Sequence, residues 1–213
     1  MSKLRFNITM SLDGYVAGPN QSKKEPLGVG GEALHDWAVE LATWREAHGK
    51  KGGKVNASSA IMQEMLENVG AVIMGRGMFG GGPGPWPPDW KGWWGGNPPY
   101  HVPVFVLTHH PREALPMAGG TTFHFVTDGI ESALSQARQA AAGKDIQIGG
   151  GASAVQQFLA AGLVDEVNVS VVPRFLGGGE RLFANLRDSA PRLEQTRVVE
   201  APGVVHLRYR VAR

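Results

Sequence analysis

Asp145–Phe183 reads DIQIGGG, ASAVQQFLAAG, LVDEVNVSVVP, RFLGGGERLF, and this order decides the fold. A short apolar strand runs into three glycines, a helix follows, then a second strand, and then a proline-initiated, glycine-rich turn. Glycines between a strand and a helix leave the first helical N–H groups open, and the helix dipole favours negative charge there. The stretch therefore fits a βαβ unit that handles a nucleotide phosphate, although the same glycines also suit a tight turn that binds nothing. It is not the usual G-x-G-x-x-G fingerprint, because Gly149 and Gly151 are followed by Ser153 and Ala154. The acidic pair Asp165 and Glu166 also opens the next strand, whereas a Rossmann ribose-binding acid sits near that strand's far end.

Working outward, Leu4, Phe6, Ile8 and Met10 alternate with polar neighbours, the period-two pattern of a strand, before a loop at Ser11 to Gly14. From Gly31 the apolar positions Leu34, Trp37, Ala38, Leu41 and Trp44 predict one helix ending near Gly49. A second helix is expected from an N-cap at Ser58 to a stop at Gly70. Ala71 to Met74 and Val102 to Leu107 read as strands buried on both faces. Residues 77–99 between them are dominated by glycine and proline and carry Trp86, Trp90, Trp93 and Trp94. That composition predicts an irregular loop, which either packs onto the body or lines a cleft. A short strand at Thr122 to Val126 and a helix at Glu131 to Ala142 come before the βαβ unit. Arg192 to Glu200 and Val204 to Val211 flank Ala201-Pro202-Gly203 as a terminal β-hairpin. The expected architecture is α/β, with a largely parallel sheet covered on both faces and antiparallel edges from the hairpin. Residues 1–213 read as a single domain.

Composition bounds the function. Net charge is +2 with Lys and Arg scattered, which argues against nucleic acid, and the cluster Lys50, Lys51, Lys54 reads as a solvated loop. With no cysteine, disulfides, thiolate metal sites and cysteine nucleophiles are excluded. His109 and His110 have no nearby carboxylate partner of metal-site spacing, so no metal is expected. The N-terminus is too polar for a signal peptide and no apolar run reaches the roughly 18–20 residues of a membrane helix, so a soluble cytoplasmic protein is expected.

Ordered landmarks resemble the dihydrofolate reductase superfamily, in particular the branch related to the reductase domain of the bifunctional riboflavin-biosynthesis deaminase/reductase. They are ITMSLDGYVAG at 8–18, VGAVIMGRGMF at 69–79, VPVFVLTHHP at 102–111, the stretch 146–173, and GGGERLF at 177–183. The resemblance implies a three-layer α/β/α sandwich around a mixed, mainly parallel sheet with a C-terminal hairpin, binding NADPH across the carboxyl ends of the strands. It implies that Gly75 and Arg76 hold the cofactor's phosphates, with Thr108 and His109 beside the adenosine phosphate. Gly149, Gly150, Gly151, Ala152 and Ser153 match the pyrophosphate loop, and Ala17 and Gly18 match the mobile segment that closes over nicotinamide. It also implies a possible homodimer through an exposed edge strand or the hairpin.

Asp13 matches the acidic residue of the family's S-x-D-G element and is a candidate beside the substrate, while the same residue before Gly14 suits an Asx turn. Of Glu32, Asp36 and Glu40, spaced by four along the predicted helix, Asp36 beside Trp37 is the candidate proton-handling carboxylate. The chain lacks the His and Cys zinc ligands of the deaminase and a clear counterpart of the arginine-bearing substrate segment, while its tryptophan loop suggests a flat acceptor. The expected function is NADPH-dependent reduction of a small heterocyclic (pterin- or pyrimidine-like) or other unsaturated substrate. The alternatives are a nucleotide-binding protein of the same fold without catalysis, and an interaction module using the aromatic loop.

Overall fold

The computed structural model describes residues 2–186 and 190–212. The chain opens with β1 (Leu4–Ser11) and a short β2 (Tyr15–Ala17). A 3₁₀ turn at Gly31–His35 leads through α1 (Asp36–Val39), α2 (Ala42–Ala47) and α3 (Ala57–Leu66) to β3 (Val69–Gly75) and α4 (Arg76–Phe79). After the tryptophan loop come β4 (Pro103–Leu107), β5 (Leu115–Pro116), β6 (Thr122–Val126) and α5 (Gly129–Ala141). Then follow β7 (Asp145–Gly150), α6 (Ala152–Ala160), β8 (Glu166–Val172), β9 (Glu180–Arg181), β10 (Leu193–Ala201) and β11 (Val204–Val211).

One nine-stranded sheet runs in the order β10-β11-β8-β1-β7-β3-β4-β6-β5. The strands from β8 to β6 in that order are parallel, and antiparallel pairs close both edges, β10–β11–β8 on one side and β5–β6 on the other. Side-chain alternation divides the two faces. Leu4, Phe6, Ala71, Ile73, Ile146, Ile148, Val167 and Val169 face α5 and α6, and meet Leu134, Ala137, Val155 and Phe158 there. Fully burying a side chain such as Phe6 or Phe158 contributes about 1.5–3 kcal/mol.

The opposite face carries two separate covers. Over β8 and β11, Leu34, Trp37, Ala38, Leu41 and Met62 close against Val172 and Val204. Over β3, β4 and β6, Val72, Met74, Val104, Val106 and Phe123 pack under Phe79, Trp86, Trp90 and Trp94. The tryptophan loop is thus largely a core cap, and Phe79 stands edge-on to Trp86 and Phe123 at 5.6 and 5.0 Å.

The predicted helix from Gly31 to Gly49 is broken. Gly30 enters at φ +75°, the first turn is 3₁₀, and Leu41 is extended, forming an isolated bridge with Lys54. The next helix starts earlier than its sequence suggests: Asn56 is the cap, accepting from Ser58 N–H, while the Ser59 hydroxyl accepts the Asn56 N–H in return. It also stops before Gly70, at Leu66, because Arg5 donates from the sheet to the carbonyls of Glu64 and Glu67 and finishes its last turn. No helix among the described residues is long and apolar enough to cross a membrane.

Candidate functional site

The carboxyl ends of β3, β4, β6 and β7 open into a cleft of about 1350 Å³, which extends between the two covers over the polar positions of β1. A typical small-molecule pocket is roughly 300–1,000 Å³, so the space suits a dinucleotide beside a second molecule.

At one end the glycine stretch does what its spacing suggests. β7 ends in Gly149 and Gly150, the latter at φ +133°, and Gly151 caps α6 without any side-chain hydrogen bond. The opening amides of α6, at Ala152 and Ser153, thus meet the cleft with no side chain competing for them. β3 ends alongside: a Cβ added at Gly75 would stand 3.7 Å from the Gly151 nitrogen and 3.5 Å from the Ala154 Cβ. The glycines bring two strand ends close and leave backbone, not side chains, facing a ligand.

Arg76 starts α4 directly after β3. Its Nε donates to the Gly82 carbonyl at 3.1 Å, and its guanidinium carbon lies 3.9 Å from the Trp86 ring centroid. Arg112, after β4, lies 5.5 Å from the same ring, and Trp86 Nε1 donates to the His110 carbonyl at 2.8 Å. Arg76 Nη1 and Nη2 and Arg112 Nη1 are buried without a hydrogen-bond partner. Burial lowers both guanidinium pKa values from the ordinary arginine value, the direction opposite to that given by a carboxylate neighbour. Arginine stays charged regardless, so this corner holds forked donors with nothing to bind them. An anion of phosphate type fits it. The buried Thr108 hydroxyl accepts the His110 N–H at 3.1 Å and shapes that turn, and His109 lines the cleft on its exposed side.

Beyond Gly149 the floor changes character. Asn7 and Thr9 of β1, Gln147 of β7 and Ser170 of β8 line it, with Ala17, Leu27, His35, Trp37, Trp44, Met62 and Met65 around them. Trp37 Nε1 donates to Thr9 Oγ1 at 3.3 Å, and the Trp44 ring stacks on His48 at 3.8 Å. Asn7 Nδ2 and His35 Nδ1 are buried without a partner. Burial holds the His35 imidazole below its ordinary pKa, against the Gly31 carbonyl and the Asp36 carboxylate, which pull it upward.

Of the residues singled out in the sequence, the structure brings Ala17, Gly75, Arg76, Thr108, His109, Gly149, Gly150, Gly151, Ala152 and Ser153 to this one cleft. Gly18 is set just behind it, where a Cβ would stand 2.0 Å from the Val29 carbonyl oxygen, so its glycine serves a close backbone approach. Neither candidate carboxylate lies in the cleft. Asp13 is engaged as a clamp, accepting the Ser11 hydroxyl at 2.6 Å and the amides of Leu176 and Gly177. Asp36 points to solvent, with 62% of its side chain exposed, and pairs with Arg174 at 3.5 Å. The break in the helix turns His35, one residue earlier, into the cleft instead. The tryptophan loop sits on the Arg76 side of the cleft, and the other side has Trp37 and Trp44. Asn7, Gln147 and His35 were missed; for Asn7 and Gln147 the signal available was polar side chains on strands central enough to be apolar on both faces, while His35, in the 3₁₀ turn, had none.

Comparison with known proteins bears on the family and the fold. The sequence model of the RibD C-terminal domain matches residues 2–207. A Bacillus subtilis (strain 168) protein designated YyaP is 35% identical over 86 residues, covering 40% of this chain and 45% of that protein, so the match spans less than half of this curated relative. A candidate riboflavin biosynthesis protein from Shewanella sp. PV-4 superposes at TM-score 0.64 with 23% identity, each chain covered in full. The bifunctional deaminase/5-amino-6-(5-phosphoribosylamino)uracil reductase of Thermotoga maritima gives 0.55 at 13% identity, with 99% of this chain covering 57% of that one. Dihydrofolate reductase from Enterococcus faecalis, solved with NADP(H), gives 0.53 at 14% identity over 99% of this chain and 97% of that one. At these identities the superpositions speak for the fold alone. With a family match running almost from end to end, the chain belongs to the RibD C-terminal domain family.

Proposed function

We propose that this oxidoreductase of the RibD C-terminal domain family uses NADPH to reduce a small unsaturated, heterocyclic substrate. The observation that carries the reading is the terminal guanidinium nitrogens left without a partner, Nη1 and Nη2 of Arg76 and Nη1 of Arg112, which follow the first and second strands beyond β7, at whose end α6 starts uncapped. A dinucleotide carrying an extra phosphate is an anion with charge at two separated points, and this cleft supplies donors at two separated points. Ala152 and Ser153 amides with the Gly149–Gly151 backbone would hold the pyrophosphate, Arg76 with Thr108 and His109 the adenosine phosphate, and Ala17 the nicotinamide end. When bound, the cofactor supplies the hydride; the protein's part is to align an acceptor against it and exclude water.

The test is a tryptophan-fluorescence titration with NADPH and NADH on the unmodified chain and on Arg76→Ala. Tighter binding of NADPH than NADH is expected, with roughly a tenfold or greater loss of that preference in the variant. Binding of neither nucleotide overturns the reading.

A second reading is a nucleotide-binding protein of this fold without turnover, favoured by the placement of Asp13 and Asp36 outside the cleft. NADPH affinity without oxidation across pterin, pyrimidine and quinone acceptors would select it. A homodimer belongs to the proposal as well: β10 is an exposed edge strand, and a second copy is what it could pair with. Light scattering giving a monomer mass would remove it.

A further inference from the structure

The acceptor half of the cleft differs from the nucleotide half in its charge. Among the described residues that line the cleft, Arg76 is the one arginine or lysine, and it stands at the β3 end on Trp86. The other arginines near the acceptor half are committed elsewhere. Arg5 lies under α3 with the Glu64 and Glu67 carbonyls and Asp145, Arg174 pairs with Asp36, and Arg197 and Arg208 both bind Glu64. The His35 imidazole does not replace them. His35 is held toward its neutral form by burial, and His48 is stacked on Trp44 with Nδ1 against the Trp44 carbonyl at 2.8 Å.

The acceptor half does offer neutral polar groups and flat apolar walls. Asn7 Nδ2 is a buried donor with no partner, on a central strand where a polar side chain costs free energy unless something accepts from it. His35 adds a second partnerless ring nitrogen, and Trp37, Met62 and Met65 form the wall. Lys50 Nζ stands 5.3 Å from the Trp44 ring centroid but is not part of the lining, so a carboxylate or phosphate placed against Asn7 would lose its hydration with no lining lysine or arginine in return, whereas a carbonyl oxygen on a flat ring would match a lone amide donor.

Resting on the reductase reading, we propose that this half binds an uncharged, planar, carbonyl-bearing ring, with Asn7 and His35 at its polar edge, and discriminates against substrates bearing phosphate or carboxylate. That separates this chain from a reductase whose acceptor carries a ribose phosphate.

The test uses the full chain with saturating NADPH and two matched probe pairs, pterin with pterin-6-carboxylate and 1,4-naphthoquinone with its 2-sulfonate. Binding is read by fluorescence and calorimetry. In each pair the uncharged member is expected to bind roughly tenfold or more tightly. Asn7→Leu is expected to weaken the uncharged member by roughly tenfold while leaving NADPH affinity in place, and that retained affinity shows that the variant is folded. His35→Gln, on a separate element, gives an independent weakening if Asn7→Leu does not fold. Equal or tighter binding of the anionic members overturns the proposal, as does failure of all four probes at millimolar concentration while NADPH binds. Failure of NADPH itself to bind overturns the reductase reading instead, and the preference within each pair, measured without nucleotide, still decides the acceptor half.

Discussion

The Asp13 carboxylate accepts the Gly177 backbone N–H at 2.7 Å, tying the loop after β1 to the turn that follows β8. With the Ser11 hydroxyl as the largest influence, and the Gly177 and Leu176 amides adding to it, the carboxyl is lowered to about 2. The folded state therefore holds it ionised where the unfolded chain, at 3.8, begins to take up a proton, so the clamp contributes above that value and is lost as pH falls toward 2. Asp13→Ala is expected to lower the thermal midpoint near neutral pH and to raise deuterium uptake over residues 174–182. The gap to the unmodified chain should close between about pH 4 and pH 2. A gap that stays constant through that range would show that the carboxylate is not the clamp.

Gly18→Ala should destabilise the fold by roughly 1–3 kcal/mol, because the added Cβ meets the Val29 carbonyl oxygen at 2.0 Å and backbone must move. Gly77→Ala is the matched comparison, with nothing within 4 Å of its Cβ, and should leave stability within about 0.5 kcal/mol. Urea midpoints of the two variants check this; equal midpoints would remove the argument from close approach.

Trp86→Ala is expected to cost roughly 2–4 kcal/mol, since the ring packs on Phe79 and Phe125 and its Nε1 holds the His110 carbonyl. It also removes the surface on which Arg76 lies, so NADPH affinity should fall in Trp86→Ala and be partly kept in Trp86→Phe. Denaturation and nucleotide titration of both variants read the two effects separately.

His206 sits between the Ser58 and Ser170 hydroxyls at 2.8 Å each, joining α3, β8 and β11. Burial, with the Arg197 charge second, lowers its pKa from 6.5 to about 4. Between those values the unfolded chain binds a proton that the folded chain does not, so stability falls as pH falls through that window. His206→Gln should therefore lose less stability than the unmodified chain between about pH 7 and pH 4.5, as measured by urea midpoints.

The strands were legible because buried parallel strands are apolar runs and the hairpin alternates cleanly, as Val205 to Val211 shows. The glycine loop was legible for the same reason: Gly149 to Gly151 stand where a strand becomes a helix. The segment from Gly31 to Gly49 was not, since a 3₁₀ turn rotates about 120° per residue and an α-helix about 100°. A helical wheel drawn straight through such a junction puts Asp36 where His35 belongs. Ser58 looked like a cap because serine caps well, yet Asn56 two residues earlier has the extended backbone and the reciprocal bond. Two-residue strands such as β9 have no periodicity to read, and the tryptophans could be assigned to core only once Phe79 and Phe123 were seen beneath them.

The two covers on the cleft face come from separate, uninterrupted stretches, residues 31–66 over β8 and β11 and residues 79–94 over β3, β4 and β6. The sheet between them belongs to neither. Under the proposed function, much of the acceptor wall becomes an exchangeable part: the first stretch could be rewritten, or transplanted from a relative, while Asn7 on β1, the glycine-ended β7 and the arginines on Trp86 stay in place.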